Sequence, residues 1–163
     1  MGAPTPSSSA AGGPRQPERF FASDGRLLAV LARAGLRDYS ELPPLTDAGR
    51  GGLTPVGWPL QAMLLTRQPG VGVRSHYHVN DVAAESATRH SVFVCLEGVL
   101  VINVYSREGE HAGEARLGVG DVLVVTEGHS VDAQEPGTRG LEVKQGPYLP
   151  YESPDVVLLE AKS

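Results

Sequence analysis

The stretch Ser91-Val-Phe-Val-Cys-Leu-Glu-Gly-Val-Leu-Val-Ile-Asn-Val-Tyr-Ser106 decides the fold. Two apolar, β-branched runs, Ser91 to Leu96 and Val99 to Ser106, flank Glu97-Gly98. Such runs suit a pleated surface and a glycine between them marks a turn, so the stretch predicts a β-hairpin. The pattern continues on both sides. Leu60 to Arg67, Val71 to His78, Glu114 to Leu117, Val122 to Thr126, His129 to Ala133 and Leu141 to Gln145 are short β runs separated by Gly, Asp or Pro turns. Arg107-Glu-Gly-Glu110 marks a second hairpin. Eight short antiparallel strands at this spacing indicate an all-β sandwich or jelly-roll barrel.

Two runs carry histidines. His76 and His78 close the run Pro69-Gly-Val-Gly-Val-Arg-Ser-His-Tyr-His78, and His129 follows the glycine turn of Gly120-Asp-Val-Leu-Val-Val-Thr-Glu-Gly-His129. Residues i and i+2 of a strand share a face, so His76 and His78 can aim at one point. A third imidazole from a neighbouring strand completes a facial metal site with open positions. Neutral imidazole suits iron, zinc, copper and nickel. Cys95 is the only cysteine, which excludes an internal disulfide and a thiolate-rich zinc site, so nitrogen and oxygen must hold any metal.

Other side chains can join this face. Arg74 shares it by alternation and needs an anionic partner, either Glu142 or a substrate carboxylate or phosphate. Glu142 and Lys144 alternate with Val143, so both can point inward and pair; an exposed strand face is the other reading. Ser91, Phe93 and Cys95 share a face, the last two as ordinary core. His90 points away from that face unless the strand is irregular, Glu85 is a loop carboxylate within reach, and His111 sits solvated in a charged hairpin.

A chain of 163 residues fits one domain. Residues 1–17 are mostly Gly, Ala, Pro and Ser and predict a disordered tail, with no apolar core of a secretory signal. No window nears the roughly 18 apolar residues of a membrane span, so the expectation is a soluble, cytoplasmic protein. The net charge of −5 and 14 scattered basic residues argue against nucleic acid as a partner. Ser23 to Gly35 predicts a short helix, capped by Ser23 or Asp24, striped by Leu27, Leu28, Val30 and Leu31, and stopped by Gly35. A Pro- and Gly-rich irregular arm follows, making 18–57 a helix and arm, 58–150 the barrel and 151–163 a C-terminal tail. An arm this long is expected to pack across a partner barrel in a homodimer, covering strand edges.

Residues 58–150 resemble the cupin superfamily of double-stranded β-helix (jelly-roll) barrels. Gly70, five residues, then His76-x-His78 match the opening of the first cupin motif, and Gly98 matches its end. Gly120, Thr126 at the usual proline, and Gly128 follow the second motif. Three departures stand out. Ser91 occupies the place of the motif's glutamate, the spacer Val79 to His90 is about eight residues too long, and His129 comes two residues early. The usual three-histidine, one-glutamate set is thus reduced to three histidines, as in related thiol dioxygenases, with His90 or Glu85 open as a fourth ligand.

The resemblance implies a metal-dependent enzyme acting on a small polar or anionic molecule. His76, His78 and His129 are the ligands it implies for one divalent transition metal (Fe, Zn, Ni, Mn or Cu, with Fe(II) favoured). The chemistry is that of an oxidoreductase of the oxygenase type, or of an isomerase or lyase, with Arg74, Glu142 and Lys144 orienting the substrate. One alternative is a metal-free sugar-nucleotide isomerase or epimerase using the histidines as general bases. Arg50-Gly-Gly-Leu53 faintly resembles sugar ketoisomerases, and Leu141 to Tyr148 is similar to the last strand of small cupins of sugar or polysaccharide modification. The other alternative is a non-catalytic ligand-binding cupin.

Overall fold

The structure is a computed structural model and describes residues 18–31, 50–55, 57–79, 88–147 and 156–160. The chain divides into two compact units, Met1–Glu41 and Leu42–Ser163. In the first, β1 (Glu18–Phe21) and β2 (Leu27–Leu31) pair as an antiparallel hairpin. Its turn closes where Ala22 N–H donates to Arg26 O at 2.8 Å, Gly25 adopts a φ of 84°, and the Asp24 carboxylate accepts the Arg26 N–H. This corrects the helix expected over Ser23–Gly35. Asp24-Gly25 is a hairpin-turn pair, and a five-residue apolar run satisfies its backbone equally well against a partner strand. The expected tail 1–17, residues 32–49 of the helix end and arm, and Glu85 lie outside the described residues.

Among the described residues the second unit holds ten strands. They are β3 (Arg50–Gly52), β4 (Leu60–Arg67), β5 (Val73–His78), β6 (Ser91–Glu97), β7 (Leu100–Tyr105), β8 (His111–Leu117), β9 (Val122–Val125), β10 (Gly128–Ala133), β11 (Thr138–Gln145) and β12 (Val156–Leu158). They form two five-stranded antiparallel sheets, ordered β12-β5-β10-β7-β8 and β3-β4-β11-β6-β9. All eight runs read from the sequence are strands. β3 and β12 extend the sheets beyond the expected 58–150 span, with β12 pairing alongside β5.

The Glu97-Gly98 turn is not a hairpin. β6 pairs with β11 and β9, whereas β7 pairs with β10 and β8 in the other sheet, so Gly98 turns a corner between sheets. Among these strands only β7 and β8 form a hairpin of the expected kind, through Arg107–Glu110. Crossing from sheet to sheet at nearly every turn is what closes a jelly roll around one interior.

Leu65, Phe93, Cys95, Leu100, Ile102, Leu117, Val125 and Val131 fill one part of that interior. Each buried Leu, Ile or Phe contributes roughly 1.5–3 kcal/mol relative to exposure. The outward rows of the β12-β5-β10-β7-β8 sheet are largely polar. Arg116, Val101 and Asp132 lie side by side, as do Glu114, Asn103 and Ser130. Asn103 Nδ2 donates to Ser130 Oγ at 3.4 Å and Arg116 Nε to Glu114 at 2.8 Å.

Gly98 has a φ of 71° and its missing Cβ would strike the Thr138 side chain. Gly70 has a similar φ of 73° with nothing near. Gly98→Ala should therefore cost about 2–4 kcal/mol, from backbone strain plus overpacking, and Gly70→Ala only about 1 kcal/mol. Urea unfolding of the two variants measures the difference; equal losses would mean that Gly98 does not mark a packed corner.

Candidate functional site

His76 and His78 on β5 and His129 on β10 stand between the two sheets, all three buried. His129 lies directly opposite His76 in the strand register. The ring centroids of His76 and His78 are 5.1 Å apart, and those of His76 and His129 4.8 Å. His76 Nδ1–H donates to the Arg74 carbonyl at 2.8 Å, and His129 Nδ1–H to that of Glu127 at 3.4 Å. A carbonyl can only accept, so Nδ1 carries a proton in both rings, and in the neutral ring that leaves the lone pair on Nε2.

The facing wall comes from β6 and β11. Ser91, Phe93, Glu142 and Lys144 are buried there, with Lys144 beside Ser91 and Glu142 beside Phe93. The fully buried Phe93 ring packs edge-to-face with His129, centroids 5.2 Å apart. Ser91 Oγ donates to Glu142 Oε1 at 3.4 Å, and Lys144 Nζ donates to His78 Nε2 at 3.3 Å. Burial first, then the positive charge of Lys144, then His76, His129 and Arg89, holds His78 far below its ordinary pKa and therefore neutral.

Arg74 is not brought to this site. It is exposed, because three residue steps on β5 from Val73 to His76 oppose two on β10 from Val131 to His129. The extra residue shifts the alternation, so Val73, His76 and His78 point inward and Arg74 does not. His90 keeps the orientation opposite Ser91 and is half-buried, its N–H bonded to the Gln145 side chain. His111 is exposed on β8, with Nε2 3.1 Å from Asn103 Oδ1. Cys95 is core.

Arg89 was missed. It is buried, its charge acts on His78, its N–H donates to the His78 carbonyl at 2.9 Å, and its guanidinium donates to Pro147 O at 2.6 Å. The available signal was its spacing two residues before Ser91, which puts it on the same face. Near the same end of the barrel, Gly146 N–H donates to Pro59 O at 2.7 Å and the Gln61 amide donates to Pro55 and Trp58 carbonyls.

No protein-family model matches the chain, and no curated protein matches it in sequence. Solved structures do match. Oxalate decarboxylase from Bacillus subtilis superposes with a TM-score of 0.54 at 18% identity, over 74% of this chain and 31% of that one. CapF, solved with an inhibitor, gives 0.55 at 15%, over 72% and 33%. Procruciferin, an 11S globulin from Brassica napus, gives 0.51 at 14%, over 68% and 28%. This chain spans about a third of the length of each of these three.

The fold is that of a cupin. Its motif glycines Gly70, Gly98 and Gly120 all have positive φ, at 73°, 71° and 90°, the turn conformation that those positions need. Ser91, at the place of the cupin motif's glutamate, does face the lumen.

Two of the three imidazoles have Nδ1–H tied to a carbonyl, the outer-sphere bond that orients metal-ligating histidine, and the third is held neutral. Among the described residues no three His, Cys, Asp or Glu side chains close on a single point at ligand distance. The Lys144 ammonium donates to His78 Nε2, the atom whose lone pair a metal would need. His76 and His129 thus have the donor chemistry of metal ligands, while His78 Nε2 is engaged by Lys144.

The neutrality of His78 sets a pH dependence. Unfolded, the ring takes up a proton below its ordinary value of 6.5; folded, it stays neutral. Its contribution to stability is therefore whole above that value and declines as the pH falls below it, by up to about 1.4 kcal/mol per pH unit. Urea midpoints of chelator-treated protein between about pH 7.5 and pH 5 read this, and His78→Gln should flatten the decline. An unchanged slope in that variant would show that His78 is not the group held neutral.

Proposed function

We propose that this barrel is a metal-dependent enzyme acting on a small anionic molecule. The observation that carries the reading is the burial of His76, His78 and His129 side by side, ring centroids 5.1 and 4.8 Å from that of His76, with His76 facing His129 across β5 and β10 and Lys144 on His78. The Mn(II) centres of the Bacillus subtilis oxalate decarboxylase, which this chain matches at a TM-score of 0.53 and 20% identity, support the same direction. Nitrogen donors suit a divalent transition ion such as Fe, Zn, Ni, Mn or Cu, with Fe(II) the favoured choice. Once bound, such an ion supplies Lewis acidity and open positions for substrate, which serves an oxygenase as well as an isomerase or lyase.

The chain's own groups do the rest. Lys144 and Arg89 place two buried positive charges at the lumen, so a carboxylate or phosphate enters with its charge met. Lys144 Nζ is a movable donor that can exchange His78 Nε2 for a substrate oxygen. Glu142, holding the Ser91 hydroxyl, is a proton acceptor within the same wall. Phe93, fully buried, gives the wall an apolar surface beside His129.

The same Lys144–His78 contact favours one other reading, a metal-free isomerase or epimerase in which the neutral imidazoles accept protons. Elemental analysis of protein purified without chelator separates the two. Close to one transition-metal ion per chain is expected, and His76→Ala should lose it; full metal content in that variant, or no metal in the wild type, rejects the metal site.

Lys144 yields a prediction of opposite signs. Lys144→Met removes the competitor for His78 Nε2, so divalent-metal affinity should rise by about tenfold, while affinity for a probe anion such as oxalate falls by a similar factor. Calorimetric titration measures both. If both fall together, Lys144 holds the lumen in shape and neither competes for His78 nor receives anions.

A further inference from the structure

One row of inward side chains crosses the histidine-bearing sheet. Val104 on β7, His129 on β10, His76 on β5 and Leu158 on β12 stand opposite one another in register, and Val156 stands beside His78. Cross-strand partners share a face, so each lumen histidine has an aliphatic neighbour on its own face. The next row of that face, Ile102, Val131 and Val73, is buried and packed. The histidine row is not. Val104 and Val156 are only half-buried and Leu158 is 45% exposed, so apolar surface stays accessible beside the three imidazoles. β12 is fastened in this position. Leu159 N–H donates to Ser75 O at 2.9 Å and Ser75 Oγ donates to Leu159 O at 3.4 Å. The Leu159 side chain lies over Gly128, the neighbour of His129, where an added Cβ would strike it.

We propose, building on the reading of the lumen as an anion site, that Val156 and Leu158 are a subsite for the hydrocarbon part of the ligand. The ligand is then a short aliphatic acid and not a polyhydroxylated one. The two sheets offer opposite chemistry. On the facing wall Gln61, Lys144 and Ser91 form a row, and the Lys144 ammonium meets the carboxylate. Lys144 rests on His78, whose register partner is Val156, so a head group at Lys144 directs the rest of the molecule along β12. Val156 and Leu158 are two residues apart and cover roughly 7 Å of strand, enough for a chain of about five carbons. A sugar acid of that length is poorly served. The Gln61 amide donates to the Pro55 and Trp58 carbonyls, and the Ser91 hydroxyl donates to Glu142. Val104, Val156, Leu158 and Phe93 have no polar side-chain atom, so hydroxyls laid against them lose water without replacement, whereas methylenes gain by leaving it.

Calorimetric titration of the full chain with acetate, butyrate, hexanoate and gluconate tests it. Affinity should rise by about fourfold per methylene from acetate toward hexanoate. Gluconate has the head group and length of hexanoate with a hydroxyl on every other carbon, and should bind no better than acetate. Leu158→Asn should weaken hexanoate by about tenfold and leave acetate unchanged, and Leu158→Met should restore the gain. A merely structural role would weaken both acids alike. Far-ultraviolet circular dichroism monitors folding, and Val156→Thr, which keeps shape and strand preference, should weaken hexanoate by about fourfold if the asparagine variant misfolds. Affinity that ignores chain length, a preference for gluconate, or a full hexanoate gain in both variants overturns the aliphatic subsite and leaves the anion site standing. Failure to bind any of the four acids overturns both. Chain-length dependence in a protein that carries no metal supports the subsite while rejecting the metal centre.

Discussion

One extra residue in β5 is the constraint on which the site depends. With unbroken alternation from Val73, the inward side chains of β5 would be Val73, Ser75 and Tyr77, and both histidines would face out. The irregularity between Val73 and His76, opposite Val131 and His129, lets one strand bury an apolar residue at one end and two imidazoles at the other. The same stretch supplies the Arg74 carbonyl that fixes the His76 tautomer. A one-residue slip elsewhere in β5 or β10 would separate His129 from its neighbours, so backbone register and chemistry are set together.

The barrel divides along its length. Around Leu65, Cys95, Leu100 and Ile102 it is packed with apolar side chains, and around Ser91, Glu142 and Lys144 it is polar. Burying ionic groups weakens a fold unless they find partners. Here Ser91 meets Glu142, Lys144 meets His78 and Arg89 meets Pro147. Phe93 stands at the boundary, a core residue at its base and a neighbour of His129 at its ring. An interior designed for stability alone would be apolar throughout.

How much of this was legible follows from the range of each signal. The eight runs from Leu60 to Gln145 were legible because strand period is local, and the histidines because their glycine spacing is local too. The corner at Gly98 was not, since a glycine between two apolar runs looks the same whether the second run rejoins its own sheet or crosses to the other. Val99 N–H donates to Thr138 Oγ1 and Gly98 abuts the same residue, 40 positions away in sequence, and only that contact decides. Arg74 was misplaced because a bulge leaves alternation intact on either side and breaks it at one step. Arg89 was overlooked because it lay in a segment read as spacer, although Thr88 already rejoins Val79 across the gap. Asp24-Gly25 carried a turn signal, but the five apolar residues after it fit either period.

The charges of the lumen bear on how metal and substrate would interact under the proposed function. Lys144 and Arg89 both bring positive charge to bear on His78, which stays neutral. A divalent ion makes this lumen more positive still, which raises its preference for an anion. Lys144 adds a steric link to the electrostatic one. Its Nζ rests on the nitrogen that an ion needs, so loading the ion frees an ammonium for the incoming anion, and an anion that draws Lys144 away uncovers His78 Nε2. Each ligand then strengthens the other by the same factor, as linkage requires. The three-histidine set with serine at Ser91 is consistent with that coupling, because a glutamate there would cancel charge that the anion is meant to meet.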